Sequence, residues 1–471
     1  MQRLQGEQRY ALPTMTGMPA FTVVWIGQLV SLIGTALFNF AIGIWLYQQT
    51  DLATTFTAMI FFSNIPRVIL SPFAGALVDR WNRKLTMMIS DLATGTTTII
   101  IFFLMWRGSL EIWHLYVLMA VSGAFESFQF PAFSSSITLL VEKKHFARTS
   151  AMLSLAEEGS RVLAPILAAA LIVVVKLEGI ILIDIITFAA AIVTLLIVPI
   201  PQPKQTEAGK NAARGLLKEA GYGFRYFLAN PSLLGLQINF FMVNLLAMST
   251  ALRTPMILAR TGNDEVALGI VASITAIGGV AGGVVMSIWG GPRRRIHGVL
   301  GGLILVNVGR AIMGLGHEVV VWSITGFFVL FFIAVCNASN QAIWQSKTPP
   351  DVQGRVFAAR RFTGQLSIPL AGLIAGPLSD RWFEPAMTVN GSLAPIFGGL
   401  VGTGPGTGMS LLILLAAVIG LIVPSVSYAI PLFRNVEDII PDIEIDAADE
   451  SINAESVRKG SRKPETKPLP R

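Results

Sequence analysis

The stretch GALVDRWNRK, residues 75–84, stands between two long apolar runs and decides how the whole chain is read. Apolar runs of about 20 residues are long enough to cross a bilayer, so a short charged turn between two of them is a connector at one membrane face. Arg80, Arg83 and Lys84 mark that face as cytoplasmic, because basic loops are retained inside. Gly75 has no side chain and lets a neighbouring helix come close. Asp79 suits the positive N-terminal end of another helix, and the arginines suit carboxylates or carbonyls. Gly75, Asp79, Arg80, Arg83 and Lys84 together read as a conformational latch and not as a catalytic site.

Composition extends this reading to the rest of the chain. Of 471 residues, 53% are hydrophobic and only 13% charged, with a mean hydropathy of +0.64. A soluble protein carries roughly a quarter charged residues, so the chain is a polytopic membrane protein. The net charge of +7 does not indicate a nucleic-acid partner, since the basic residues lie in short loops between apolar runs. Cys336, the single cysteine, excludes an intrachain disulfide and a cysteine-cluster metal site. His114, His145, His297 and His317 lie far apart without metal-ligand spacing. GTGPGTG (402–408) resembles a phosphate cradle but has no following lysine, so it reads as an external turn. Neither a metal nor a cofactor is expected. No cleavable signal layout is expected at the N-terminus either, because the apolar run that follows is too long.

Twelve spans follow, at about 20–49, 54–78, 85–106, 112–138, 150–175, 179–200, 231–259, 265–289, 296–316, 319–346, 355–378 and 406–433. With the N-terminus inside, 25 of the 35 Lys and Arg residues fall in cytoplasmic segments. Only Arg107, Lys176, Arg260 and Arg381 fall outside. The expected class is therefore an all-α protein of twelve transmembrane helices in two six-helix bundles. Residues 1–19 form a cytoplasmic N-terminus, 20–200 and 231–433 the bundles, and 434–471 a disordered cytoplasmic tail. Residues 201–230 form a linker whose second part, GLLKEAGYGFRYFLANP, has the spacing of an amphipathic helix on the membrane surface. GPLSDRW (376–382) repeats the flavour of residues 75–81, but the topology puts it outside, where a latch role would not apply.

The pattern G-x-x-x-D-R-x-x-R-K at Gly75–Lys84 resembles the signature loop of the major facilitator superfamily, with Asn82 where that loop usually has a glycine. TPPDVQGRVFAARR (348–361), Pro131 and the tail start RNVEDIIPD (434–442) resemble the macrolide-efflux and enterobactin-exporter branch. The resemblance implies a two-bundle transporter that exports small organic molecules, driven by the proton gradient. Helix 5 departs from it, carrying RVLAPILAAA (161–170) where many drug–proton antiporters have a glycine-rich stretch. The resemblance also implies that helices 1, 4, 7 and 10 line a central cavity. Those spans carry Gln28 and Asn39, Gln129, Asn239 and Asn244, then Asn337, Asn340 and Gln341. Interhelical hydrogen bonding is the alternative role for each amide.

A charge near the bilayer centre costs about 3 kcal/mol or more, so it faces the bundle interior and has a partner or a task. Glu126 and Arg67 sit midway along their spans, and Asp184, Arg253 and Arg310 lie towards outer ends. Glu157, Glu158 and Arg161 share one face of helix 5. Glu126 leads as the proton-coupling carboxylate, with Asp184, Glu157 and Glu158 behind it. The alternative for Glu126 is a permanent structural pair with Arg67. Arg67, Arg161, Arg253 and Arg310 are read as charge partners.

The function expected is a proton-coupled secondary exporter of amphipathic organic molecules, a monomer in the plasma or inner membrane with both termini cytoplasmic. Asp79, Arg80 and Arg83 would latch the inner start of helix 11 near Gly354 and Arg355. Uptake or lysophospholipid movement on the same fold remains open. A membrane enzyme or sensor is disfavoured, because the chain has no clustered nucleophile–base set.

Overall fold

The computed structural model describes residues 16–78, 80–201, 216–349 and 352–441. The first four helices are α1 (Gly17–Thr50), α2 (Ala53–Val78), α3 (Arg83–Trp106) and α4 (Ile112–Leu140). The rod Phe146–Ile197 is broken at Lys176, whose φ of 56° is left-handed, which divides it into α5 (146–175) and α6 (177–197). The linker helix α7 (Leu216–Ala229) follows. The expected seventh span is two pieces, α8 (Pro231–Leu245) and α9 (Met248–Thr261), in place of a single helix. Next come α10 (Glu265–Trp289), α11 (Arg295–Leu315), α12 (Val319–Lys347) and α13 (Gln353–Leu378). A π-turn at Ser379–Phe383 leads to the short α14 (Glu384–Ala386), then α15 (Ala394–Val401) and α16 (Thr407–Ala429).

Among the described residues eight helices are long and apolar enough to cross a membrane, the α5–α6 rod counted once. The rod's break makes room for two crossings. α4 and α13 are less apolar because they carry polar side chains turned inward, and α8 with α9 makes one broken crossing. Twelve crossings result, all helical, as the backbone must satisfy its own hydrogen bonds in lipid.

Local chemistry sets the helix ends. Asn82, standing where the signature loop usually has a glycine, caps α3 by accepting from the Leu85 amide at 3.0 Å. Asp264 caps α10 through the Val266 and Ala267 amides. Gly406 has φ +78° ahead of α16, a conformation that favours glycine. The expected external turn at 402–408 is therefore a glycine-dependent entry to the last helix.

Each half has its own core, one around Leu37, Ile42, Leu115 and Ile181 and another around Leu233, Leu303, Trp344 and Val356. A third cluster joins the halves at the end away from the basic connectors: Ile44, Tyr47 and Ala53 pack with Leu252, Met256, Ala375 and Met409. There α2 meets α13 through small residues. A Cβ on Gly376 would come within 2.5 Å of the Thr54 backbone, and one on Gly372 within 3.0 Å of the Thr57 carbonyl oxygen. Gly269 of α10 likewise leaves no room for a side chain against Ala169 of α5.

Three expectations are corrected here. GPLSDRW does act across the halves: the Asp380 carboxylate accepts from the Ala53 amide at 3.1 Å and the Thr54 amide at 2.7 Å, at the start of α2. A carboxylate fits there because a helix N-terminus presents unpaired N–H groups and positive potential. Beside it, Glu384 accepts from the Gly406 and Met409 amides, and burial pushes its carboxyl above the ordinary value against their pull. Second, α7, expected only as an amphipathic helix in the linker, is fastened to the C-terminal half. Phe227 is 3% exposed and meets the Trp344 ring edge-on, and the Tyr226 hydroxyl donates to the Lys347 carbonyl at 2.9 Å. Third, the expected disordered tail is ordered at its start: α17 (Pro431–Arg434) ends on its first residue and α18 (Val436–Ile439) follows. Asp438 pairs with Arg294 at 2.8 Å, and Glu437 takes the Ile296 amide at the head of α11.

Removing the Asp380 carboxylate deletes two charge-assisted hydrogen bonds, each worth about 1.5–3 kcal/mol. Asp380→Ala is expected to raise amide hydrogen exchange at residues 53–57 by about tenfold or more, with the middle of α2 unchanged. Unaltered exchange there would remove the clasp.

Candidate functional site

The halves close at one end and diverge towards the other, which leaves a chamber of about 1010 Å³. α1 to α6 supply most of its wall, and α13 and α7 supply the rest. Of the four helices expected to line it, α1 and α4 do so, whereas among the described residues none of α8, α9 or α12 lines it.

Gln28, Asn39, Gln129, Glu126, Arg67, Asp184 and Glu157 all line the chamber. Arg67 and Glu126 form an ion pair through Nη2 and Oε2, and Ser122 donates to the other Glu126 oxygen at 3.2 Å. Asp184, 1% exposed, takes hydroxyls from Thr35 at 3.0 Å and Thr98 at 2.8 Å, which binds α6 to α1 and α3. Glu158 and Arg161 share α5 with Glu157, but their side chains lie outside the described residues.

The remaining amides and arginines stand away from the chamber. Asn239 donates to Ser427 of α16, and Gln341 accepts from Arg360 at 2.8 Å. Asn340 is 2% exposed inside the C-terminal half. Asn244 and Asn337 also lie off the chamber wall, as do Arg253 and Arg310. Arg310 is 5% exposed, and its Nε and Nη1 have no hydrogen-bond partner among the described residues. Of the helical face expected for Asn337, Asn340 and Gln341, Asn340 is buried in the bundle and Gln341 holds Arg360, whereas Asn337 is exposed, and none of the three is on the chamber wall.

The signature loop packs on its own half. Arg83 donates to the Ser135 carbonyl at 2.6 Å, Lys84 to those of Val198 and Leu196, and Trp81 lies against Phe128. Arg80 stands in the turn before α3. Asp79 lies outside the described residues, as do the surroundings of Gly75 and Gly354. Arg355 is stacked on Tyr222 of α7, with its guanidinium 5.2 Å from the ring centre.

Asp91 is the residue that sequence reasoning misses. It lies on the chamber wall, 9% exposed, between Gln28 at 2.9 Å and Gln129 at 2.8 Å, and Gln129 also donates to Gln28 at 2.7 Å. At 1.5 Å rise per residue the three sit at one level, about 12–17 Å from the connector ends of α3, α1 and α4. Matching depths between neighbouring spans is the signal that would find it.

A chamber walled by polar and aromatic side chains inside a closed-ended helical bundle defines a membrane transporter. The model of the Major Facilitator Superfamily matches residues 24–372, and the chain belongs to that family. It is similar to Macrolide efflux protein A of Streptococcus pyogenes, with 26% identity over 378 residues covering 77% of this chain and 91% of that protein. The protein of the same name from Enterococcus faecalis is 26% identical over 323 residues, covering 66% and 97%. Among solved structures, the nucleoside transporter NupG superposes with a TM-score of 0.63 at 12% identity, covering 88% of this chain and 100% of that one. A bacterial homologue of the human lysosomal transporter Spinster gives 0.61 at 13%, covering 89% and 98%. At these identities the structures establish the fold alone.

Breaking a fully buried ion pair costs about 3–5 kcal/mol. The Arg67 and Glu126 side chains keep 39% and 26% exposure, so about 1–2 kcal/mol is expected here. In detergent melts Glu126→Gln should be less stable than wild type, and Arg67→Gln/Glu126→Gln should recover part of the loss. A double variant no better than the single would mean the pair carries no coupling.

Proposed function

We propose that this protein is a secondary active exporter of small amphipathic organic molecules, driven by the proton gradient and working by alternating access. The observation that carries the reading is the chamber's asymmetry. α2 with α13 and α5 with α10 close it at one end, whereas its wall runs to Arg355 and Phe224 at the connector end. Basic connectors remain in the cytoplasm, so this shape fits a state that receives substrate from inside. The lining suits an amphipathic solute, with Phe40, Phe130 and Phe188 among polar amides and carboxylates. The macrolide-efflux relatives agree with export, and their bacterial sources agree with a plasma-membrane location.

Glu126 is the group assigned to proton exchange, with Arg67 as its partner in this state, and Asp184 and Glu157 as the other candidates on the wall. Alternation would open the clasp at Asp380 and close the connector end, since an equilibrium follows the state that keeps more contacts. In that closed state the loop bearing Asp79, Arg80 and Arg83 is proposed to meet the start of α13.

Proteoliposomes with an imposed pH gradient test this. Wild type should accumulate a labelled macrolide against its gradient and in the direction of export. Glu126→Gln should keep downhill flux but lose gradient-driven accumulation. Full coupling in that variant moves the proton to Asp184 or Glu157, and uptake in place of export overturns the direction.

A further inference from the structure

We propose that Asp91, framed by Gln28 and Gln129, is the seat for a positively charged nitrogen of the transported molecule, so that the chamber selects ammonium-bearing amphiphiles over neutral ones. This rests on reading the chamber as a substrate site.

Among the described residues the chamber wall carries Asp91, Glu126, Glu157 and Asp184 against Arg67, Arg355 and Arg361; Arg67 is bound to Glu126, Arg355 lies over the Tyr222 ring and Arg361 over the Phe130 ring. No basic side chain pairs with Asp91 among the described residues; its two oxygens take one neutral amide each. Neutral donors orient a carboxylate and satisfy part of its hydrogen-bonding capacity, but they leave its charge uncompensated in a low-dielectric setting.

Geometry separates Asp91 from the other carboxylates. Glu126 has its cation. Asp184 is sealed at 1% exposure between two threonine hydroxyls and the close-packed Gly34. Glu157 has no side-chain donor to fix its direction among the described contacts. Asp91 is aimed and lies on the chamber wall, 9% exposed: the Gln129–Gln28 bond locks its two amide partners to each other, and each carboxylate oxygen has taken one donor only.

A ring face completes the site. Phe188 packs against Gly95, one helical turn along α3 from Asp91 on the same face, and lines the same chamber. A carboxylate with an aromatic ring one turn away is the pairing that receives an alkylammonium: the charge meets the carboxylate and the methyl groups meet the ring. Gln129 Oε1, buried and without a partner among the described residues, is an acceptor for an N–H of a protonated secondary or tertiary amine.

The test measures equilibrium binding to purified protein in lipid nanodiscs, with no gradient. The probes are dodecyltrimethylammonium and its uncharged isostere, in which carbon replaces nitrogen. Wild type should bind the cation about tenfold or more tightly than the isostere. Asp91→Asn should erase that ratio by weakening the cation alone, and Asp91→Glu should keep most of it. Should Asp91→Asn fail to fold, Gln129→Lys serves instead, because it sets the protein's own ammonium beside Asp91 and must expel the cationic probe while sparing the neutral one. A wild type that binds both alike, or neither, overturns the proposal. So does a ratio that survives Asp91→Asn, or one lost in Glu157→Gln and kept in Asp91→Asn. A carboxylate that carries only a proton gives equal binding of both probes. Failure here leaves export standing, since the vesicle experiment reads direction and coupling independently.

Discussion

The seam between α2 and α13 is the constraint on which the rest depends. Two glycines on α13 bring its backbone onto Thr54 and Thr57, and van der Waals contact at that spacing is what draws helices together where lipid offers no hydrophobic drive. Asp380 then adds direction, because its carboxylate reaches the amides that begin α2. Once the halves are held at that end, the long helices beyond it splay. The chamber is the volume this leaves, and its wall is what α1 to α6, α7 and α13 turn inward.

Polar groups are shared unequally between the halves. In the N-terminal half they face the chamber and are held by neighbours on other helices, as Asp184 is by Thr35 and Thr98. In the C-terminal half many are taken up in packing, Asn239 on Ser427, Gln341 on Arg360 and His297 on Tyr428, and those that reach the chamber, such as Arg361 and Gln365, stand on α13. The uncompensated groups are therefore of opposite sign, carboxylates on one side and arginines such as Arg310 on the other. Two bundles alike in architecture are thereby made unlike in chemistry, with the first supplying most of the chamber wall.

Much of this is legible in the sequence. Apolar runs place the crossings within a few residues, and the mid-span positions of Glu126 and Arg67 bring them to one depth, where the structure pairs them. Three things are not legible, for physical reasons. Helical periodicity shows that Asn337, Asn340 and Gln341 share a face but not which neighbour that face meets. Asp91 lies early in its span, so ranking charges by distance from the bilayer centre passes over it, although Gln28 and Gln129 lie at its level. Asp380 escapes because the signature loop's role is tied to the cytoplasmic side. Helix N-termini attract carboxylates at either membrane face, so the chemistry of the motif travels where its topology does not.

The ordered beginning of the tail has a practical bearing on how this protein is handled. Residues 436–439 are strapped across the foot of the C-terminal half: Glu437 caps α11, Asp438 holds Arg294, and the Glu437 carbonyl receives the Lys347 ammonium at 2.7 Å. The strap thus ties the last crossing to α11 and α12. A shortened chain ending at Ala429, where the final apolar run stops, would look complete by hydropathy. It would nevertheless leave the head of one helix uncapped and take away the acceptors that Arg294 and Lys347 find on the strap. The folding unit therefore includes the strap, some ten residues past the last apolar run.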